Sequence, residues 1–216
     1  MITMNEHDLL DKLDHVFKEL IYPFHVLERD IPFQLNGQSN YRNETDTEHS
    51  FTLALVSILL APHIDPALDI GKCCQLSIVH DLIEVYAGDT SFWANKDLQD
   101  SKKEREAEAV GIIKSKFGSS FPNLPELIDE YELKSTKEAQ FISALDKFLA
   151  LAVLQTSKSN YFKKNKLTKT QVEKEVLLRH RGRGLAYEPF NSVYLAQLER
   201  FMKQTDYFHD DEASSS

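Results

Sequence analysis

Residues 73–89 read "CCQLSIVHDLIEVYAGD". A mostly apolar run leads into a stretch that carries His80, Asp81, Glu84 and Asp89. Drawn as a helical wheel with His80 at zero, Ser77 falls at about 60°, Glu84 at about 40° and Asp81 at about 100°. Val79, Leu82, Ile83 and Tyr86 fall mostly on the other side. One arc is therefore polar and the rest apolar. Such an arc ordinarily faces water. The run before it, however, predicts a helix buried nearly all round, and burying unpaired carboxylates costs several kcal/mol each. Two carboxylates beside an imidazole in that setting call for a compensating cation.

Helical spacing extends outward from this segment in both directions. Residues 5–21 carry Leu9, Leu10, Leu13, Phe17 and Leu20 at three- and four-residue steps, and Pro23 is expected to end that helix. Residues 22–46 read as irregular. A second helix is expected from about Thr47, with Phe51, Leu55, Ile58 and Leu59 leading to Pro62. A third begins near "DPALD", capped by Asp65 with Pro66 in its first turn, and runs to Gly88 as its stop. "SKKE" (101–104) and "STKE" (135–138) read as capping boxes. The second of these opens a helix with Phe141, Ala144, Leu145, Phe148, Leu149 and Ala152 on one face. "HRGRG" (180–184) reads as a break, and a last helix spans about Pro189 to Lys203. No run alternates strongly. The expectation is an all-α, single-domain bundle of about seven to nine helices over residues 1–207. The acidic, serine-rich tail 208–216 is expected to be disordered.

Composition narrows the function classes. Hydrophobic residues make up 42% and charged residues 27% of the 216, the proportions of a soluble globular domain. A net charge of -9 argues against coating a nucleic-acid polymer. The longest apolar run, "FTLALVSILLAP", falls short of the roughly 20 residues that span a bilayer. Cys73 and Cys74 are adjacent and poorly placed for a mutual disulfide, so they read as reduced thiols. The expected location is the cytoplasm, with no membrane partner.

Two further ligand-type residues lie on other apolar helices: His49 in "DTEHSFTLAL" and Asp146 in "FISALDKFLALA". Two imidazoles and two carboxylates suit a divalent metal ion with open positions for water; Mn, Co, Zn, Fe(II) and Mg are the candidates. "KKNKLTKT" (163–170) reads as a solvated basic loop or a phosphate-steering rim. Arg179, Arg181 and Arg183 read as a surface cluster or oligomer contact.

The order His49, His80-Asp81, Asp146 resembles the metal-ligand signature of the HD-domain phosphohydrolase superfamily. "YRNETDTEHSF" and "HDLIEVYAGDT" are similar to segments of its small 5′-deoxynucleotidase branch. That resemblance implies a helical bundle of the HD-domain type in which His49, His80, Asp81 and Asp146 hold the metal. Glu84 would position or deprotonate the attacking water. Asp89 would contact the sugar, and these two would be the catalytic residues. An arginine ahead of the first histidine, Arg29 or Arg42, would bind phosphate. The branch's bacterial members carry Arg-Trp-Pro where this chain has Arg29-Asp30-Ile31-Pro32, so the tryptophan is absent. The activity implied is hydrolysis of deoxynucleoside 5′-monophosphates. The alternatives are another nucleotide phosphoester, or a non-catalytic metal-binding scaffold. Dimerisation is common among the proteins it resembles, so a homodimer is among the expected partners.

Overall fold

The computed structural model describes residues 5–33, 42–91, 93–156, 161–183 and 187–209. The fold is all-α with one small hairpin. Its helices are α1 (Glu6–Val16), α2 (Tyr22–Val26), α3 (Asp46–Ile64), α4 (Ile70–Val79), α5 (Glu84–Ala87), α6 (Lys96–Phe117), α7 (Asn123–Leu133), α8 (Lys137–Thr156), α9 (Tyr161–Lys164), α10 (Lys169–Arg183) and α11 (Asn191–Met202). The eleven helices among the described residues exceed the seven to nine expected, chiefly because α2, α5 and α9 are short.

Several boundaries differ from the sequence expectation, each for a local reason. Pro23 does not end the first helix. A π-helical turn, Phe17–Ile21, lets the Tyr22 N–H reach back to the Phe17 carbonyl, and Pro23 then sits within the first turn of α2, where its missing N–H is tolerated. The stretch expected to be irregular contains antiparallel strands β1 (Glu28–Phe33) and β2 (Arg42–Thr45). Their register is irregular between Glu28 and Pro32, which breaks the two-residue alternation that would have announced them. Asp69, not Asp65, caps α4, and Asp65 instead closes a turn onto the Ala67 N–H. Asn95 starts α6 ahead of "SKKE", and Thr136 caps α8 through the Ala139 N–H. Glu138, freed from the expected capping box, accepts the Asp69 N–H. Helix α10 runs through the expected break to Arg183. The side chains of Arg179, Arg181 and Arg183 and the tail from residue 210 lie outside the described residues. Phe208, placed in the tail on sequence grounds, is buried against Phe162 and Phe201.

Two apolar clusters hold the bundle. The larger joins α3, α4, α8 and α11 through Leu53, Leu76, Phe141, Leu145, Phe190 and Phe201. The smaller joins α2, α6 and α7 to the segment after α4, through Phe24, Val79, Leu82, Ile83, Ile113 and Phe117. The chain changes packing partner at His80, and the helix breaks there. Ser77 O, which a continuous helix would offer to the Asp81 N–H, accepts instead from His80 Nδ1 at 2.8 Å. The following bonds, Leu82 N–H to Val79 O and Glu84 N–H to Asp81 O, span three residues rather than four. Residues 80–83 therefore form turns between α4 and α5, and the regular wheel does not hold across them. Gly88 does end the segment, with φ of +73° and its N–H on Glu84 O.

The expected apolar faces of α1 and α3 also differ. Leu9, Leu10 and Phe17 are exposed, as are Phe51, Leu55, Ile58 and Leu59; α3 instead buries His49, Ser50, Leu53, Ser57 and Ala61.

Candidate metal centre

The capping box at the start of α3 sets the first part of the site. Thr45 Oγ1 accepts the Glu48 N–H and Glu48 reaches back to the Thr45 N–H, which fixes the first turn. Asp46 and His49, one turn apart, then face inward, and both are buried. His49 Nε2 lies 2.9 Å from Asp146 Oδ1 of α8, and its Nδ1 lies 3.5 Å from Glu44 Oε2 of β2.

His80, the residue just after α4, meets this group. Its Nδ1 donates to Ser77 O, which turns Nε2 towards the cluster. That atom lies 2.9 Å from Asp81 Oδ2 but has no hydrogen-bond partner. The His49 and His80 rings stand 5.3 Å apart, and donor atoms of His49, His80 and Asp81 all lie within 4.8 Å of one another. A second set, Asp46, Asp81 and Glu84, meets the same limit. Arg29 of β1 enters from the open side. Its Nη1 pairs with Asp81 Oδ2 and, at 3.2 Å, with Asp46 Oδ1, while Nη2 lies 4.0 Å from Asp146 Oδ1.

The electrostatics follow from burial and from these neighbours. Burial opposes charge on Asp81, but His80 and Arg29 outweigh it and hold the carboxyl well below the usual range. Burial likewise opposes charge on Asp146, and its bond to His49 lowers it all the same. Burial, reinforced by Asp81, raises Asp46 to about 7 and raises Glu84 well above the ordinary glutamate value. Burial and Arg29 work against protonation of His49, yet Asp146 and Glu44 bring it up to about 9.

A divalent cation fits this donor set. His80 Nε2, Asp46 Oδ2 and Glu84 Oε2 are buried and lack hydrogen-bond partners, an expensive arrangement unless a further group satisfies them. Imidazole nitrogens mixed with carboxylate oxygens are the ligands of first-row divalent ions. An ion bound there would compete with the proton on His49 Nε2 and with the Arg29 guanidinium.

A cavity of about 310 Å³ opens beside the cluster. Arg29, Asp81, Glu84, Asp146 and Asp89 line it, together with Asp30, Trp93 and Tyr161. Ala150, Leu151, Leu154, Phe162, Val172 and Val176 give it apolar walls. Asp89 Oδ2 accepts the Asp30 N–H at 3.3 Å. Arg42 departs from expectation. It is half-exposed, does not line the cavity, and is clamped through both terminal nitrogens to Glu48. The capping box that orders α3 thus draws Arg42 away from the site. Sequence reasoning missed Glu44 and Asp46. An acid in a helix's first turn is ordinary, and only the distant Arg29 gives Asp46 its place.

The family model of the HD domain matches residues 35–180. The chain belongs to the HD domain family. Among its HD-domain relatives, the 5′-deoxynucleotidase HDDC2 of Homo sapiens is 32% identical over 111 residues, covering 49% of this chain and 52% of the human protein. The 5′-deoxynucleotidase hdd1 of Schizosaccharomyces pombe is 28% identical over 114 residues, covering 50% and 56%. These alignments take in only about half the length of the curated relatives. A crystal structure of a predicted metal-dependent phosphohydrolase from Magnetospirillum magnetotacticum MS-1 superposes with a TM-score of 0.72 at 23% identity, over 96% of this chain and 100% of the other. That likeness is one of fold, and it spans nearly the whole chain.

Proposed function

We propose that this chain is a metal-dependent phosphohydrolase, specifically a 5′-nucleotidase that cleaves deoxynucleoside 5′-monophosphates to deoxynucleoside and phosphate. The observation that carries the reading is the set of buried, unpartnered donor atoms, His80 Nε2 foremost, beside a cavity that also presents Arg29. The names of the human and yeast relatives support the substrate class.

In this reading His49, His80, Asp81 and Asp146 would hold one divalent ion, chosen among Mn, Co, Zn, Fe(II) and Mg. Such an ion would supply charge neutralisation at phosphoryl oxygens and a lowered water pKa, from about 15.7 towards ~7. Glu84, buried and with one oxygen unpartnered, accepts the proton of the attacking water. Arg29 turns its fork from Asp81 and Asp46 to the phosphate, where bidentate pairing adds orientation as well as energy. Asp89 accepts a hydrogen bond from the sugar, and the apolar walls exclude water around the base. No helix among the described residues is long and apolar enough to cross a membrane. The cytoplasm is the proposed location, supported by the free Cys73 and Cys74. The net charge of -9 supports small nucleotides over nucleic-acid polymers as substrate.

The test is phosphate release from a nucleotide panel by metal-stripped protein, with Mn, Co, Zn or Mg added back. Release from deoxynucleoside monophosphates with at least one metal, and none with chelator, is the expected result. No release from any of them would sink the reading. Tight metal binding without hydrolysis of any phosphoester would favour the scaffold alternative.

A homodimer through α3 is part of the proposal. Phe51 is 69% exposed and Leu59 59% exposed, with Leu55 and Ile58 beside them, an apolar surface of the kind that marks protein contacts. Light scattering should give twice the monomer mass, and Phe51→Glu should halve it. A wild-type monomer at micromolar concentration would refute the interface.

A further inference from the structure

We propose that Arg105 is the positioning residue that fixes Asp89 in the cavity; this deepens the nucleotidase reading and rests on it for the role of Asp89. Arg105 stands on α6; it does not line the 310 Å³ cavity beside the cluster, but it lines a neighbouring one of about 380 Å³ that Asp89 also lines. Its Nη1 donates to the carbonyl of Ala87, the last residue of α5. Its Nη2 donates to Thr90 Oγ1 at 2.6 Å and to Leu98 O at 3.2 Å, and its Nε to Ser101 Oγ at 3.4 Å. Ala87 and Thr90 bracket Gly88 and Asp89. One guanidinium therefore staples both ends of the short strip that presents Asp89.

That strip needs holding. Gly88 turns the chain out of α5 with a left-handed φ of +73°, so the residues after it leave the helical hydrogen-bond ladder. On the other flank the contact is long: the Asp30 N–H reaches Asp89 Oδ2 at 3.3 Å. Asp30 is itself tied down, since its carboxylate accepts from Ser91 Oγ at 2.6 Å and Tyr161 OH at 2.7 Å. Asp89 thus sits between a clasp from α6 and a brace from β1. Spanning acceptors on either side of Asp89 suits a planar fork with five donors; a lysine ammonium at the end of a flexible stem cannot reproduce it. A helix-dipole role is the weaker explanation, because α5 has only four residues.

The test compares full-length wild type, R105M, R105K, D89N and the double variant R105M/D89N. The substrate is deoxyadenosine 5′-monophosphate with added cobalt. R105M should raise KM about tenfold or more, with kcat changed by less than about threefold, because misplacing a group that orients substrate acts on binding geometry. Cobalt affinity by calorimetry should not change, and R105K should restore only part of the loss. In the D89N background, R105M should cost less than about twofold further, since the two residues act as one unit. Amide hydrogen exchange over residues 88–91 should rise about tenfold in R105M while α8 stays protected. Equal losses from R105M in both backgrounds would overturn the proposal, as would unchanged exchange over 88–91. If wild type hydrolyses no nucleotide, the nucleotidase reading fails by itself, and the exchange measurement still decides whether Arg105 holds the Asp89 strip.

Discussion

Asp81→Asn should remove metal and turnover together while leaving the protein folded. Asp81 belongs to both donor sets, lies 2.9 Å from His80 Nε2, and is the carboxylate that Arg29 grips. Removing an outer-shell partner of a metal site typically costs ~10–100-fold in affinity or activity. Loss of a direct ligand shared this widely should cost on the order of 10³-fold or more in kcat/KM, beyond that outer-shell range. Folding should survive because Arg29 keeps Asp46, and because asparagine fills the space of the carboxylate. Asp81→Ala is the harsher variant; breaking one partner of a buried pair costs about 3–5 kcal/mol, here offset in part by the remaining acids. The measurements are metal content after gel filtration and phosphate release. Stoichiometric metal with turnover within about threefold of wild type would show that Asp81 is not a ligand.

The candidate-site residues legible in the sequence are the polar groups that interrupt apolar runs. His80, Asp81 and Glu84 stand out because they interrupt an apolar run, and His49 and Asp146 because they do the same on α3 and α8. The all-α class is legible for a related reason: three- and four-residue spacing recurs along most of the chain. What stayed hidden depends on contacts remote in sequence. At the break after α4 an imidazole bonds a backbone carbonyl and the backbone bonds shorten to three residues, which a wheel of side-chain directions cannot contain. Arg29 and Arg42 looked equivalent until Glu48 claimed one of them. Asp46 looked like an N-terminal helix acid until Arg29, 17 residues away, gave it a buried partner. On α3, Phe51, Leu55, Ile58 and Leu59 look like a core stripe. The helix is apolar on so many sides that periodicity cannot say which side meets the bundle, and the side carrying His49 and Leu53 does so. The hairpin escaped notice because its irregular register removes alternation.

Glu84→Gln should separate the two jobs that a buried carboxylate beside a metal can do. Glu84 is 7% exposed, has one oxygen without a partner, and offers a donor atom within 4.8 Å of Asp81 and Asp46. Burial, with Asp81, Asp89 and Asp46 nearby, lifts its pKa well above the ordinary glutamate value. A divalent ion in the cluster would pull it back down. A carboxylate whose pKa is raised is a stronger proton acceptor than an ordinary glutamate, provided that it is ionised when water attacks. Glutamine keeps the shape and the hydrogen-bonding oxygen but cannot accept that proton. If Glu84 is the general base, kcat should fall by ~10²–10⁴, the usual worth of such a group. KM and metal affinity should then stay close to wild type. If Glu84 is instead a ligand, metal affinity and turnover should fall in parallel, and excess metal should restore turnover. Turnover within about threefold of wild type would exclude Glu84 as the base, since a general base contributes at least ~10²-fold. The attacking water would then have to lose its proton to another carboxylate of the cluster. Asp46, raised to about 7 and with a buried unpartnered oxygen within the cluster, is the carboxyl whose pKa suits that task.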